Sequence, residues 1–253
     1  MALLSCLNVT KYFGENRVLN DVSLEIERGS FVSIIGASGS GKSTLLTILG
    51  GIDKPTEGKV LLDGAEISTM SEKELAILRR TKLGFVFQFF NLAPYLTAEE
   101  NVLLPIMLSG KVKDEDRQRA NELMEYLGIF ELKNKLPGKM SGGEQQRIAI
   151  ARGLIINPEV ILLDEPTGNL DSKNSEEIMN LLKRINKEFN TTIVQVTHSD
   201  INARYGNVII TIKDGKIIRS DISAIDSLGA VEEAEVVGED TLTLENEQEN
   251  EEE

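Results

Sequence analysis

The glycine-rich segment Gly36–Ser43 limits the possible folds of this chain more than any other feature. It reads Gly-Ala-Ser-Gly-Ser-Gly-Lys-Ser, follows the apolar stretch Phe31–Ile35 and opens the helical pattern Lys42–Leu49. A strand, a glycine-rich turn and a helix in this order let backbone N–H groups surround an anion, because glycine has no Cβ to clash. The segment therefore predicts a phosphate-binding loop in an α/β fold. The alternative is a strand–helix turn that holds no ligand.

The side chains of this loop fit a nucleotide that binds with Mg²⁺. Lys42 can reach the β- and γ-phosphates, and the Ser43 hydroxyl is a hard oxygen ligand for the metal. The N-terminal end of the following helix attracts the phosphates through its dipole. The predicted nucleotide-binding residues of the loop are Gly36, Ala37, Ser38, Gly39, Ser40, Gly41, Lys42, Ser43 and Thr44.

Two adjacent acids later in the chain predict the second half of the same site. Asp164 and Glu165 come directly after the apolar run Val160–Leu163. The carboxyl ends of buried parallel strands are where open α/β sheets bind their ligands. Asp164 suits Mg²⁺ coordination, and Glu165 can point at an attacking water molecule instead. The alternative, a surface loop with two acids, is less consistent with the phosphate loop upstream.

Hydrophobic periodicity divides the chain into three regions. Residues 1–65 read as short strands, residues 71–128 are mainly helical, and beyond Ser141 helices alternate with buried apolar strands. This alternation predicts βαβ units and a parallel sheet. The predicted strands are Leu3–Val9, Val22–Ile26, Phe31–Ile35, Lys59–Leu62, Leu83–Phe87, Val160–Leu163, Thr192–Val196, Val208–Ile212 and Lys216–Ile218. The predicted helices are Lys42–Leu49, Asp114–Leu127, Gly142–Ile156 and Lys173–Phe189, with capping boxes at Ser71/Glu74 and Thr97/Glu100.

The charge of the chain is unevenly distributed. Lys and Arg number 27, Asp and Glu 41, and the formal net charge is -14. No Lys or Arg follows Arg219, whereas 13 of the acids do, so residues 1–219 are nearly neutral. A nucleic-acid partner is not expected, because such binders carry a basic surplus. The single cysteine, Cys6, favours a reducing cytosolic compartment, and neither a secretory signal nor a membrane span is predicted.

A further motif identifies a family resemblance. The segment Met140–Arg147 reads Met-Ser-Gly-Gly-Glu-Gln-Gln-Arg, and its serine lies 99 positions after Lys42. Together with Gln88 after a strand, the segment Gly168–Asp171 and the lone His198 after another strand, it resembles the nucleotide-binding subunits of ABC transporters. The resemblance covers about residues 3–219. The Ser-Gly-Gly-Glu-Gln-Gln variant is similar to the subfamily that serves lipoprotein release, macrolide export and antimicrobial-peptide export.

The Ser-Gly-Gly segment is itself a candidate anion site. A serine N-cap followed by two glycines leaves backbone N–H groups free at a helix start. The resemblance implies that ATP lies between the phosphate loop of one copy and Ser141, Gly142 and Gly143 of a second copy packed head-to-tail. Glu144 stands where the family usually has Gln. We predict that a capping box turns Glu144 back onto the Ser141 N–H and away from the nucleotide.

The resemblance also implies roles for individual side chains. Phe13 stacks on the adenine, although a core position is the alternative. Gln88 links Mg²⁺ and the attacking water to the helical subdomain, His198 hydrogen-bonds the γ-phosphate, and Asp171 crosses the dimer interface. We predict Glu165 as general base. The predicted catalytic residues are Lys42, Gln88, Glu165 and His198, and the predicted Mg²⁺ ligands are Ser43, Gln88 and Asp164.

The implied architecture is a P-loop NTPase fold with a RecA-like parallel-sheet core, an N-terminal antiparallel β subdomain and a helical signature subdomain. We predict an ATPase domain over residues 1–222, the helical subdomain over about residues 89–157, and a disordered acidic tail over residues 223–253. The implied partner is a membrane permease on a separate chain, which places the protein at the cytoplasmic face of the membrane.

The predicted docking surface for the permease lies between Gln88 and Pro105, an unusually apolar stretch. Its candidate contact residues are Phe89, Phe90, Leu92, Tyr95 and Leu96. Burial of these residues in the core of the helical subdomain is the alternative. A division-associated ATPase that signals through a membrane partner to cell-wall enzymes shares every motif and stays open as an alternative function. ABC-type switches that act on ribosomes or DNA fit less well, since they carry two cassettes or long coiled-coil insertions.

Overall fold

The computed structural model describes residues 2–222, which form two sheets and seven α-helices. The strands are β1 (Ala2–Phe13), β2 (Asn16–Glu27), β3 (Phe31–Ile35), β4 (Glu57–Leu62), β5 (Ala65–Glu66), β6 (Leu83–Val86), β7 (Val160–Asp164), β8 (Thr192–Thr197), β9 (Val208–Lys213) and β10 (Lys216–Ile222). The helices are α1 (Lys42–Leu49), α2 (Glu72–Thr81), α3 (Ala98–Met107), α4 (Asp114–Tyr126), α5 (Gly142–Leu154), α6 (Ser172–Phe189) and α7 (Asp200–Ala203). The predicted disordered tail lies outside the described residues.

The larger sheet confirms the predicted parallel core. Its strand order is β10-β9-β3-β8-β7-β6, and all neighbouring pairs are parallel except β9 with β10. The strand that precedes the phosphate loop is therefore flanked on both sides. The four apolar residues of β7 are fully buried, as expected for a strand covered on both faces. Because Ile35 pairs with Thr197 and Asp164 pairs with Val196, the carboxyl ends of β3, β7 and β8 lie at one edge of the sheet.

The smaller sheet is antiparallel, with the order β2-β1-β4-β5. β1 extends to Phe13 and β2 begins at Asn16, so both strands are longer than predicted. The register between β1 and β2 is irregular where the predicted part of each strand meets the additional part. Asn8 and Asp21 have positive φ in this region. The Asn8 amide donates to the Asp21 carboxylate at 2.9 Å, so polar residues bridge the irregular region. Because this region interrupts the apolar alternation, the sequence pattern did not predict the full length of β1 and β2.

Helices α3, α4 and α5 share a hydrophobic core with the inner face of α6. Val102 and Leu103 of α3, Met124 of α4 and Ile148 of α5 are almost completely buried in this cluster. The capping boxes predicted at Ser71/Glu74 and Thr97/Glu100 are both present. Two helices end earlier than predicted, α4 at Tyr126 and α5 at Leu154, and α6 begins one residue earlier than predicted.

Burial of the single cysteine generates a prediction about reactivity. Cys6 lies fully buried in β1, and removal from water raises the pKa of its thiol to about 12. Since the thiolate is the reacting form, the native protein should react with a disulfide reagent at pH 8 at least about 100-fold more slowly than the unfolded protein. Absorbance assays of thiol release measure this rate. A Glu25→Cys variant, with its new thiol exposed on β2, should react rapidly, and equal rates at both positions would contradict the burial of Cys6.

Candidate functional site

The phosphate loop requires glycine at two positions for steric reasons. A Cβ on Gly36 would lie 2.2 Å from the carbonyl oxygen of Ile212, and one on Gly41 would lie 2.9 Å from that of Val18. Gly41 also has a φ of 103° and precedes α1 without a side-chain cap. The first N–H groups of α1 are thus available to an anion, as the sequence predicts.

The lysine of the loop is held by the loop itself. Lys42 is almost completely buried, and its Nζ donates to the carbonyl oxygens of Gly36 at 2.9 Å and Ala37 at 3.0 Å. A buried ammonium group needs such partners because its desolvation is costly. These bonds keep the positive charge at the turn where phosphates are expected.

The two adjacent acids lie beside this loop. The Ser43 hydroxyl donates to Asp164 Oδ1 at 2.9 Å. Burial raises the pKa of Asp164, and the charge of Glu165 raises it further, whereas the Ser43 bond and Lys42 act in the opposite direction. A divalent cation would relieve this cost of a buried negative charge. Ser43 and Asp164, both oxygen donors, therefore fit Mg²⁺.

Glu165 and His198 approach each other across this edge of the sheet. The distance between Glu165 Oε2 and His198 Nδ1 is 3.0 Å. The Glu165 side chain is 13% exposed, whereas that of His198 is 68% exposed. Glu165 has a positive φ of 47°, an uncommon conformation for a residue with a side chain. The pair can thus bind and orient a water molecule at the mouth of the cleft.

A cleft of about 610 Å³ collects most of the predicted site residues. Phe13 lines it and is 52% exposed, so the alternative core position for Phe13 is wrong. Asn16 and Val18 also line the cleft, although sequence reasoning did not select them. Their only signal was proximity to Phe13. The predicted residues on the cleft wall are Phe13, Ser38, Gly39, Gly41, Lys42, Ser43, Thr44, Gln88, Glu165 and His198.

The Ser-Gly-Gly segment is not among the described residues that line this cleft. Ser141 caps α5, and Glu144 Oε2 accepts from the Ser141 N–H at 2.7 Å. This contact confirms the predicted capping box, and the same bond lowers the pKa of Glu144. Asp171 likewise lies away from the cleft wall, where it caps α6 by accepting from the Asn174 N–H at 2.9 Å.

The apolar stretch after Gln88 divides into exposed and partly buried side chains. Phe89 is 71% and Tyr95 is 92% exposed, whereas Phe90 and Leu92 pack against the core. Phe90, Leu92 and Leu96 are all half-buried, and the packing of Phe90 and Leu92 against the core favours the core alternative for those two.

Two polar side chains that sequence reasoning missed hold this loop in shape. Asn101 is buried, and its Oδ1 accepts from the Ala93 N–H at 2.7 Å. Its Nδ2 donates to the carbonyl oxygens of Ala93, Leu96 and Thr97 at 2.9 to 3.1 Å. Arg152 donates to the carbonyl oxygens of Phe90 and Asn91. An asparagine within the apolar run Asn101–Leu104 is the signal that could have indicated this role.

The sheet topology and the cleft together define a P-loop nucleotide-binding fold. Residues 19–168 match the family described as ABC transporter. The chain is 49% identical over 216 residues to the lipoprotein-releasing system ATP-binding protein LolD of Aquifex aeolicus, covering 85% of this chain and 96% of that protein. It is 42% identical over 221 residues to the bacitracin export ATP-binding protein BceA of Halalkalibacterium halodurans, covering 86% and 87%.

A solved structure extends these similarities. The dimeric, post-hydrolysis structure of the cassette MJ0796 from Methanocaldococcus jannaschii, bound to ADP and Pi, matches with a TM-score of 0.79 and 48% identity. The match covers 87% of this chain and 98% of that one. The chain belongs to the ABC transporter family. It is an ATP-binding subunit of the kind found in that family, and it is an ATPase. Within the described residues, the structure contains no helix that is both long and apolar enough to cross a membrane.

The environment of Asp164 predicts opposite effects of one substitution on stability and on binding. Because the folded protein raises the pKa of Asp164, its ionised form destabilises the folded state above that pKa. Asp164→Asn should therefore raise the Tm of the nucleotide-free protein at pH 7. It should also reduce the further rise in Tm that MgATP causes.

Differential scanning fluorimetry with and without MgATP measures both effects. Asp200→Asn, at an acid that the structure places on α7, is the control and should leave the MgATP-dependent rise unchanged. A lower Tm of nucleotide-free Asp164→Asn, or an unchanged response to MgATP, would contradict the assignment.

Proposed function

We propose that two copies of this chain close head-to-tail around two MgATP molecules and drive a membrane permease carried on separate chains. The supporting observation is the separation of two candidate anion sites within one copy. The phosphate loop lines the cleft, whereas Ser141, at the start of α5, lines no part of it among the described residues. A second copy in the opposite orientation supplies the missing half of each site. The cassette MJ0796, a relative whose structure has been solved, is dimeric in that structure.

In this proposal, the residues of the cleft position ATP and stabilise the negative charge of its phosphates. Phe13 stacks on the adenine, Lys42 contacts the terminal phosphates and the N–H groups of Ser38 to Ser43 surround them. Ser43, Asp164 and Gln88 hold Mg²⁺, which when bound offsets the negative charge of the phosphates. Such positioning and charge stabilisation account for most of the catalysis of phosphoryl transfer.

Glu165 and His198 act on the water in the proposed reaction. Glu165 accepts the proton of the attacking water as general base, and His198 hydrogen-bonds the γ-phosphate. Their 3.0 Å separation supports a shared function. Gln88 is linked to the loop after Glu165, because Asn169 Nδ2 donates to the Gln88 carbonyl oxygen at 2.7 Å. This contact offers a route from the cleft to the apolar stretch that follows Gln88.

Docking to the permease is assigned to the exposed part of that stretch. Phe89 and Tyr95 present their rings to solvent, and Asn101 and Arg152 fix the backbone between them. Large exposed aromatic side chains on an ordered loop are typical contact residues of protein interfaces. The permease places the protein at the cytoplasmic face of the membrane. The lipoprotein-release and bacitracin-export relatives support a role in the export or handling of lipoproteins or antimicrobial peptides.

Replacement of the proposed base tests the reaction. Glu165→Gln should slow steady-state ATP hydrolysis by on the order of 10²–10⁴, because the general base is lost while the shape of the side chain stays. MgATP should still bind, and gel filtration should show an ATP-dependent dimer. Glu125→Gln, at an exposed acid on α4, is the matched control and should hydrolyse ATP normally. Unchanged turnover of Glu165→Gln would remove Glu165 from this role.

A charge at the most exposed aromatic residue tests docking. Tyr95→Asp should reduce co-purification of a membrane permease from native membranes by about tenfold or more, since interface anchors contribute most of the binding energy. MgATP binding should be unaffected. Ile218→Asp, at another exposed apolar residue, should retain the permease. Intact co-purification of Tyr95→Asp would contradict the assigned surface, and a partner associated with cell-wall enzymes would favour the division-associated alternative.

A further inference from the structure

The turn that carries His198 contacts the loop that carries Glu165 at a second point. Asn202, four residues after His198, donates through Nδ2 to the Thr167 hydroxyl at 2.7 Å. Thr167, two residues after Glu165, is 7% exposed. Two contacts therefore join the same pair of segments. One is between Glu165 and His198, and the other is the hydrogen bond between Thr167 and Asn202.

Asn202 is also fixed from the side of the sheet. Its carbonyl oxygen accepts from Gln195 Nε2 at 2.9 Å, and the same Gln195 amide donates to the Ser33 hydroxyl at 2.9 Å. Gln195 and Ser33 are fully buried on β8 and on β3, the strand that leads into the phosphate loop. Ser199, the N-cap of α7, accepts from the Asn202 N–H at 3.3 Å. Contacts with the buried core and with the N-cap of α7 therefore hold the backbone of Asn202 in place.

The loop at Glu165 needs such support because its backbone is unusual. Glu165 has a φ of 47°, and such residues persist only where the surroundings hold them. The Glu165 N–H donates to Val196 O and its carbonyl oxygen accepts from Gly168 N, both at 3.0 Å. These bonds fix the start of the turn. The hydrogen bond from Asn202 to Thr167 links the middle of this turn to the segment that carries His198.

We infer that Asn202 is a positioning residue for ATP hydrolysis, which acts through Thr167 to keep Glu165 and His198 aligned. The inference rests on the proposed roles of Glu165 and His198. His198 is largely exposed, so its own contact with Glu165 is solvated and weak. The Asn202–Thr167 hydrogen bond joins a buried side chain to a partly buried one that the core holds in place, and partial exclusion of water strengthens its restraint on the two segments. Loss of that bond should affect the chemical step more than ATP binding.

Variants at both ends of the bond test the inference. Asn202→Ala and Thr167→Val should each lower kcat roughly 2- to 12-fold, the effect of one net hydrogen bond. The KM for MgATP should stay within about twofold of the original. Thr167→Ser keeps the hydroxyl and should retain normal kcat. The double variant Asn202→Ala/Thr167→Val should be no slower than either single variant, because both remove the same bond. Asn180→Ala, at an exposed residue of α6, is the control.

A binding measurement separates positioning from damage to the fold. Titration of each variant with a fluorescent ATP analogue should give an unchanged Kd. A raised Kd, an additive double variant or an equal loss in Thr167→Ser would overturn the inference. The Asn202 carbonyl keeps its bond to Gln195 in every variant. If Asn202→Ala nevertheless fails to fold, the comparison of Thr167→Val with Thr167→Ser decides.

Two reference variants distinguish this inference from the proposed function. If Glu165→Gln and His198→Ala abolish turnover while Asn202→Ala and Thr167→Val retain normal kcat, the positioning role is wrong and the proposed function stands. If Glu165→Gln and His198→Ala hydrolyse ATP normally, the proposed function itself is wrong.

Discussion

The parallel pairing of β3, β8 and β7 is the constraint on which the rest of the structure depends. Because these strands run in one direction and in close register, the segments that follow them emerge at the same edge of the sheet. The phosphate loop, the acids Asp164 and Glu165, and His198 are widely separated in sequence. They meet only because three apolar strands bury both faces and leave their polar continuations outside.

The electrostatic cost of burying acids at this edge favours the binding of a cation there. The consecutive acids Asp164 and Glu165 lie beside the phosphate loop, which carries the buried ammonium group of Lys42. Burial raises the pKa of Asp164, because its ionised carboxylate lies in unfavourable surroundings. In the proposed complex, Mg²⁺ would offset the charge of the acids, and the ATP phosphates would accept from the uncapped start of α1. The proposed ligand would therefore relieve an electrostatic cost that the folded chain carries.

Sequence reasoning located the groups that directly follow buried strands, and failed where position depends on tertiary contacts. Glu165 could be predicted because it follows a buried apolar run, and the Ser141 capping box could be predicted because its partner is three residues away. His198 was predicted from the family resemblance. Asn202 and Thr167 are 35 residues apart, and their contact depends on the register of β7 with β8. Tyr95 and Leu92 could not be separated, since a short apolar loop has no periodicity that shows which side chain faces the core.

The hydrogen bonds of Asn101 to the loop at residues 93–97 have a consequence for the evolution of such a surface. They involve backbone atoms of Ala93, Leu96 and Thr97, and Arg152 likewise bonds to carbonyl oxygens. The shape of the loop is thus independent of the outward side chains at positions 89 and 95. Those two rings can be exchanged for others without changing the loop backbone. If they contact the permease as proposed, substitutions at these two positions would adapt one ATPase fold to different partners.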